Sequence, residues 1–174
     1  MLLFMSIIMP SQVPHVPLGS CGLLTPRVAL GTMGMTAFYN QDPAATEEES
    51  LRTLAAALDL GMNHLDTAWI YHNQGTAHHN EELVGKALAA HGRERFTVAS
   101  KFFPPAMNGG ATEANIRSQL SESLGRLGTS YVDLYYMHRV CDKVPLAVHF
   151  NVSTSGNHIC YLLCRYLWRK WRRR

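Results

Sequence analysis

Two patterns of hydrophobic and polar positions alternate between residues 28 and 138: short apolar runs, and longer stretches with apolar residues at helical spacing. The short runs predict strands, and they end at Gly31, Asp66, Lys101 and His138. The longer stretches between them predict amphipathic helices. Because each crossover helix has to lie on a face of the sheet, this alternation favours βαβ units and a parallel sheet.

Capping residues delimit the three predicted helices. The first follows Thr46, with a glutamate three residues later as in a capping box, and it stops at Gly61. The second runs through NEELVGKALAA with Asn80 as its expected N-cap. The third follows Thr112 as its cap and ends before Gly128. Upstream, the turn residues within VPLGSCGLLTPRVAL predict a β-hairpin before the first of these strands.

The four predicted strand ends are nearly evenly spaced, at intervals of 35, 35 and 37 residues. In a right-handed repeat of strands and helices, equal intervals return the chain to the same edge of the sheet, so we expect these residues to end neighbouring strands. Ligands bind at the carboxyl ends of the strands in parallel α/β proteins. Three ionisable side chains at three consecutive strand ends therefore predict a functional site there.

The composition is that of a globular protein, and the length of 174 residues fits one domain. The opening run MLLFMSIIMP is short and has no basic residue before it, so we expect no transmembrane segment, with a weak signal anchor as the alternative. The irregular cysteine spacing contains no CxxC pair, which favours free thiols in a reducing compartment and a cytoplasmic protein.

The net charge of +3 hides an uneven distribution. Up to Asp142 the chain has 9 lysines and arginines against 13 acidic residues, whereas from Lys143 onward it has 7 basic residues and no acidic one. The last part, YLLCRYLWRKWRRR, mixes aromatic and aliphatic residues with basic ones. As a helix, it has the composition to lie on an anionic membrane or to bind nucleic acid, and we keep this role as an alternative function.

Five segments, in this order, resemble the aldo-keto reductases, a family of nicotinamide-dependent (β/α)8 barrels. They are LGSCGLLTPRVALGTMGM, ALDLGMNHLDTAWIY, NEELVGKAL, FTVASKF and SLGRLGTSYVDLYYMHRV, within residues 16–148. The GTMGM turn and the Met-His-Arg ending most resemble the monomeric branch that acts on small aldehydes and ketones. The resemblance implies an α/β fold, the first half of a parallel (β/α)8 TIM barrel with about four βα units, with the predicted hairpin over the barrel floor.

The resemblance also implies an NADP(H)-dependent oxidoreductase that reduces aldehydes or ketones to alcohols. The catalytic residues that it implies are Asp66, Tyr71, Lys101 and His138. The residues that it places against the cofactor are Gly31, Thr32 and Asp66. No metal is expected, because His78 and His79 lack a second ligand pair at a useful spacing.

The chemistry of these side chains agrees with the implied roles. Hydride transfer to a carbonyl carbon puts negative charge on the carbonyl oxygen, so a positioned group has to donate a proton there. Tyr71 is that donor, and the ammonium of Lys101 would favour the phenolate that the transfer leaves behind. Asp66 would hold this ammonium in place, and His138 would orient the carbonyl oxygen by a second hydrogen bond.

Taken singly, the same residues have structural interpretations. Asp66 alone is typical of a turn after a strand, and Lys101 alone is typical of a barrel rim. His138 alone is typical of a structural histidine. Their common spacing, with Tyr71 one short loop away, favours the catalytic interpretation.

Closing eight strands takes about 250 residues, whereas the resemblance here ends after the fourth repeat, near Val148. We therefore divide the chain into an extension (1–14), a partial reductase domain (15–148) and an unrelated basic tail (149–174). We expect a truncated and impaired enzyme, with an inactive fragment or a non-catalytic scaffold as alternatives. The expected partner is a small aldehyde or ketone, without nucleic acid, and no pattern in the sequence specifies an oligomeric state.

Overall fold

The computed structural model of the protein describes residues 12–19, 22–37, 47–72, 79–103 and 112–139. The elements in these ranges follow one another as β1 (His15–Pro17), β2 (Leu24–Pro26), β3 (Leu30–Gly31), α1 (Glu47–Asp59), β4 (His64–Asp66), α2 (Asn80–His91), β5 (Thr97–Phe102), α3 (Glu113–Leu127) and β6 (Leu134–Met137). Short 3-10 turns lie at Met33–Met35 and Arg93–Arg95. The predicted alternation of strands and helices is confirmed.

Strands β3 to β6 form a parallel sheet in sequential order, which confirms that the predicted strand ends are neighbours. The predicted strand-end residues Asp66, Lys101 and His138 are staggered, however, and do not pair with one another across the sheet. Asp66 pairs with Ala99, so Lys101 lies two residues further along its strand, and Lys101 in turn pairs with Tyr136. His138 follows just beyond β6, where its backbone N–H still donates to β5 at 3.0 Å. Such a stagger is typical of strands that tilt within a barrel.

The hydrophobic core lies between the helices and one face of the sheet. Strand β5 runs through it, and every residue of this strand is buried. Val98 and Phe102 face the helices, and Lys101 lies on the other face because side chains alternate along a strand. The core includes Leu54, Leu65, Val84, Val98, Ile116 and Tyr135.

Helices α2 and α3 approach each other closely at Gly85. A Cβ atom at this position would lie 2.8 Å from the carbonyl oxygen of Arg126 and 2.9 Å from that of Leu127, so only glycine fits without a shift of the backbone. Beside this contact lies the fully buried carboxylate of Glu81. It accepts from Nε of Arg126 at 2.8 Å and from the hydroxyl of Ser100 at 2.6 Å, which ties α2 to both α3 and β5.

The N-cap of α2 is His79, and the prediction of Asn80 in this place was wrong. Nδ1 of His79 accepts from the backbone N–H of Glu81 at 3.1 Å, and the carboxylate of Glu82 accepts from the backbone N–H of His79 at 3.3 Å. Asn80 is the first helical residue instead. Its amide group does not cap the helix because it is buried in hydrogen bonds to the loops that follow β3 and β4.

The ends of α3 agree with the prediction. The hydroxyl of Thr112 accepts from the backbone N–H of Asn115 at 3.3 Å, and Gly128 closes the helix in the left-handed conformation, with a φ angle of 63°. Glycine takes this conformation without steric cost, which explains why the helix stops there.

Strands β1 and β2 pair in antiparallel fashion and confirm the predicted hairpin. The hairpin contacts the amino end of β4. Nε2 of His15 lies 3.0 Å from Oδ1 of Asn63, and the hydroxyl of Thr25 lies 2.6 Å from Nδ1 of His64. The hairpin therefore covers the floor of the sheet, opposite to the carboxyl ends of the strands.

Several predictions fall outside the described residues. These are residues 1–11 of the extension, the cap at Thr46, His78, the resemblance near Val148, the basic tail (149–174) and the cysteines. Within the ranges that the structure describes, no helix is both long enough and apolar enough to cross a membrane.

Candidate active site

The side chain of Lys101 is at the centre of a hydrogen-bonded cluster at the carboxyl edge of the sheet. Its Nζ atom donates to Oδ1 of Asp66, to the carbonyl oxygen of Thr67 at 2.7 Å and to the hydroxyl of Tyr71 at 3.1 Å. These three acceptors match the three protons of an ammonium group. Lys101 is only 6% exposed, so protein groups rather than water solvate its charge.

The carboxylate of Asp66 is shared between two donors. Oδ1 accepts from Lys101, and Oδ2 accepts from the phenol of Tyr136. The side chain of Asp66 remains 28% exposed, so the cluster keeps one side toward solvent. With both oxygens bonded, the carboxylate holds the ammonium in a defined position.

Tyr71 is buried, and hydrogen bonds to its backbone N–H and to its carbonyl oxygen anchor the loop in which it lies. Its N–H donates to the carbonyl oxygen of Ala68 at 3.0 Å, and its carbonyl oxygen accepts from the backbone N–H of Asn80 at 2.9 Å. Its ring packs in a small apolar cluster with Ala37 and Ala68. Nζ of Lys101 also lies 4.7 Å from the centre of this ring, within the range of a cation–π contact.

His138 joins the cluster through ring contacts. Its imidazole lies edge-on to the ring of Tyr71, with centroids 5.7 Å apart and an interplanar angle of 82°, and it lies 5.7 Å from the ring of Phe103. Burial, followed by the positive charges of Lys101 and Arg139, lowers the pKa of His138. The imidazole is therefore neutral at neutral pH. Its Nδ1 atom is buried and has no hydrogen-bond partner in the part of the chain that the structure describes.

The fully buried amide of Asn80 connects the loops that follow β3 and β4. Its Nδ2 donates to the carbonyl oxygen of Thr32 and to the hydroxyl of Thr36, both at 2.8 Å. Its Oδ1 accepts from the hydroxyls of Thr67 at 2.8 Å and Thr32 at 2.5 Å. Together with its backbone bond to Tyr71, Asn80 therefore holds both strand ends and the tyrosine loop in one arrangement.

The two residues that were predicted to meet a cofactor at the first strand end differ in exposure. Gly31 is exposed, and a Cβ atom there would meet nothing within 4 Å. Thr32 is fully buried, and its hydroxyl lies 2.9 Å from the carbonyl oxygen of Asp66. Gly31 therefore borders open space, whereas the side chain of Thr32 holds the strand end in place.

Among the residues that the structure describes, no three histidine, cysteine, aspartate or glutamate side chains are arranged to hold a metal ion. His79 has both ring nitrogens engaged. Nδ1 caps α2, and Nε2 lies 2.8 Å from the carbonyl oxygen of Trp69, to which it donates. His78 lies outside the described residues, so the expectation that the chain binds no metal stays a prediction.

Sequence reasoning missed Tyr136 and gave Asn80 only the role of a cap. Tyr136 lies two residues before His138, and the alternation of side chains along YVDLYYMH places both on one face of the strand. That signal was present in the sequence. Nothing local marked Asn80, because its side-chain partners are 13 to 48 positions away in the sequence.

This arrangement suits the donation of a proton at the open edge of the sheet. A buried ammonium beside a phenol stabilises negative charge on the phenol oxygen, so the phenol can release a proton. A neutral imidazole on the adjacent strand end can hold a second polar atom of the acceptor. The hydrogen bonds of Asp66 keep the ammonium in register with the phenol.

Comparisons with known proteins point to one family. The model of the Aldo/keto reductase family matches residues 27–163. The "Probable aldo-keto reductase 1" of Glycine max is 37% identical over 142 residues, which are 78% of this chain and 39% of that relative. The chain therefore spans well under half of the length of this curated relative.

Solved structures agree with this result. A thermostable aldo-keto reductase in complex with the inhibitor epalrestat superposes with a TM-score of 0.72 and 30% identity, over 91% of this chain and 57% of the other. An aldo-keto reductase of Klebsiella pneumoniae in complex with NADPH superposes with a TM-score of 0.60 and 30% identity, over 75% and 41% of the two chains. The predicted fold class, part of a parallel (β/α)8 barrel preceded by a hairpin, is confirmed.

Proposed function

The chain belongs to the aldo/keto reductase family, and we propose that its strand-end cluster reduces the carbonyl group of a small aldehyde or ketone to an alcohol with NADP(H). The observation that carries the proposal is the hydrogen bonding of the Lys101 ammonium to both Asp66 and Tyr71 at the carboxyl edge of the sheet. The family is one of oxidoreductases, and the relative from Klebsiella pneumoniae was solved with NADPH.

In this proposal Tyr71 donates the proton. The carbonyl oxygen gains negative charge as its carbon is reduced, and the phenol O–H neutralises that charge by transferring its proton. The phenolate that remains is stabilised by the ammonium of Lys101, 3.1 Å away. Asp66 keeps the ammonium in place, because one of its carboxylate oxygens accepts from Lys101 while the other accepts from Tyr136.

His138 orients the carbonyl group. Its ring lies edge-on to that of Tyr71, with centroids 5.7 Å apart, and this proximity supports a shared contact of both side chains with one carbonyl oxygen. The lowered pKa of His138 keeps the ring neutral at neutral pH. A neutral ring donates one hydrogen bond and leaves the transfer of the proton to Tyr71.

The residues on the open side of the cluster fit a nicotinamide cofactor. Gly31 leaves free space at the end of β3, and the buried Nδ1 of His138 has no partner among the described residues. The nicotinamide would be bordered by Gly31, Thr32 and Asp66. The buried hydroxyl of Thr32 would not touch the cofactor but would hold the backbone at the end of the strand in place. The cofactor supplies the hydride when bound, and the chain supplies the proton and the placement.

The oxidation of NADPH with a simple aldehyde tests this function. We expect Tyr71→Phe to lower kcat by about 100-fold or more, because the variant has no proton to donate. Tyr131→Phe is the matched control, since it removes an exposed phenol whose ring lies under the guanidinium of Arg93 rather than beside Lys101. Equal rates for wild type and Tyr71→Phe would remove the role of Tyr71, and no turnover in any variant would favour a non-catalytic scaffold.

A further inference from the structure

We propose that Tyr136 is a positioning residue, whose phenol locks the carboxylate of Asp66 against the ammonium of Lys101. Its position on the sheet, its hydrogen bond to Asp66 and its ring beside Lys101 all support this role. The consequence for turnover rests on the reduction proposed above, whereas the hydrogen-bonded arrangement itself does not depend on it.

The register of the sheet places Tyr136 directly beside Lys101. The two residues pair across β5 and β6, and paired residues of parallel strands direct their side chains to the same face. Strand β4, which carries Asp66, lies on the other side of β5. The phenol therefore reaches past Lys101 to the carboxylate of a residue 70 positions earlier in the sequence.

The bond from Tyr136 determines which way the carboxylate faces. Rotation about the last side-chain bond of an aspartate is broad, so a carboxylate held by one donor can present either oxygen at several angles. With Oδ2 held by Tyr136, Oδ1 is the oxygen that faces Lys101. Because Lys101 also donates to Tyr71 at 3.1 Å, a fixed carboxylate keeps the ammonium where it stabilises a phenolate.

The rings of two tyrosines flank the ammonium of Lys101. Nζ lies 4.7 Å from the centre of the Tyr71 ring and 5.3 Å from the centre of the Tyr136 ring. Both distances allow a cation–π attraction. Tyr136→Phe keeps the ring and removes only the hydroxyl, and with it the hydrogen bond to Asp66.

Tyr135 offers the matched control. It precedes Tyr136 on β6 but lies on the opposite face, where it is fully buried and packs against Phe102 with ring centroids 5.9 Å apart. Tyr135→Phe therefore removes the same atom from the same strand on the helix side of the sheet, away from Asp66 and Lys101.

NMR of the isotopically labelled full chain tests the arrangement without relying on turnover. The ¹³C resonance of the Asp66 carboxylate and the exchange of the Lys101 ammonium protons with water report on the two bonded groups. We expect Tyr136→Phe to shift the carboxylate resonance and to speed the ammonium exchange by about tenfold, because the weakened pair opens more often. Tyr135→Phe should change neither signal. Unchanged signals in Tyr136→Phe, or equal changes in both variants, would overturn the proposal.

Turnover of NADPH with a simple aldehyde tests the consequence for catalysis. We expect Tyr136→Phe to lower kcat by about tenfold, with the KM for the aldehyde changed by less than about twofold. A residue that only stabilises the fold would instead lower Tm and leave kcat unchanged. In an Asp66→Asn background, Tyr136→Phe should cause no further fall, because the phenol acts through Asp66.

Two kinetic results would contradict the role of Tyr136: full activity of the single variant, or a further tenfold fall in the Asp66→Asn background. If the wild type shows no turnover, this result contradicts the proposed reduction and not the positioning role of Tyr136. The NMR comparison of Tyr136→Phe with Tyr135→Phe then decides by itself whether Tyr136 positions the pair.

Discussion

The Nζ atom of Lys101 lies 3.1 Å from the hydroxyl oxygen of Tyr71, although 30 positions of sequence separate the two residues. Lys101→Met removes the positive charge at nearly constant volume. We expect kcat to fall by about 100-fold or more, because the phenolate loses its stabilising charge. The free energy of unfolding should fall by about 1–2 kcal/mol, since Asp66 loses one partner but stays partly exposed and bonded to Tyr136.

Lys86→Met is the control for this prediction. Lys86 forms an ion pair with Glu47 at 2.7 Å, but the side chain of Lys86 is 49% exposed and that of Glu47 is 35% exposed. Such a pair contributes about 0–1 kcal/mol, and it joins α1 to α2 instead of lying at the strand ends. Steady-state kinetics and urea unfolding of both variants provide the comparison. Equal losses of kcat would show that the charge of Lys101 has no specific role.

Asn80→Ala should destabilise the protein by about 3 kcal/mol or more. The variant leaves the buried hydroxyl of Thr67 and the buried carbonyl oxygen of Thr32 without their amide partner, and each unsatisfied group is costly. Asn63→Ala is the control, because Asn63 bonds to His15 and Arg95 nearer the surface, and its loss should cost about 1 kcal/mol. Urea unfolding measures both, and similar costs would contradict the central role of Asn80.

The stability of the protein should fall as the pH decreases below about 6.5. Burial is the largest cause of a lowered pKa in His64, His79 and His138. A histidine with a lowered pKa binds fewer protons in the folded state than in the unfolded state. Its contribution is therefore complete above the unfolded pKa of about 6.5 and is lost as the pH falls toward the folded value.

Thermal unfolding between about pH 7 and about pH 5.5 measures this loss. His79→Asn keeps an acceptor at the N-cap of α2 and removes one titrating ring, so the decrease of Tm with pH should become shallower. A Tm that stays constant over this range in the wild type would contradict the prediction.

Two glycines should respond in opposite ways to the same substitution. Gly85→Ala places a Cβ atom 2.8 Å from the carbonyl oxygen of Arg126 and should cost about 2–3 kcal/mol, because α2 and α3 have to separate. Gly125→Ala, within α3, meets nothing within 4 Å and should stabilise the protein by about 0.5–1 kcal/mol. Urea unfolding of the two variants checks the signs, and a loss of stability in both would contradict the assigned packing.

Features that depend on neighbouring residues were predictable. The strands, the cap of α3 at Thr112 and the hairpin follow from local periodicity and turn residues. The cap of α2 was not predictable, because the side chain of Asn80 bonds to partners that are distant in sequence. His79 caps the helix instead. Local preference is overridden wherever a buried polar group has stronger partners elsewhere.

The sequence by itself determined which strands are neighbours and brought their functional side chains to one edge of the sheet. Even intervals between Asp66, Lys101 and His138 were enough, because a regular βα repeat returns the chain to one edge of the sheet. Only the tertiary structure decided that Tyr136 stands beside Lys101 and bonds to Asp66. The stagger between adjacent strands determines that Tyr136 is the residue beside Lys101. This stagger depends on how the sheet packs against the helices, and the spacing of residues along the chain does not specify it.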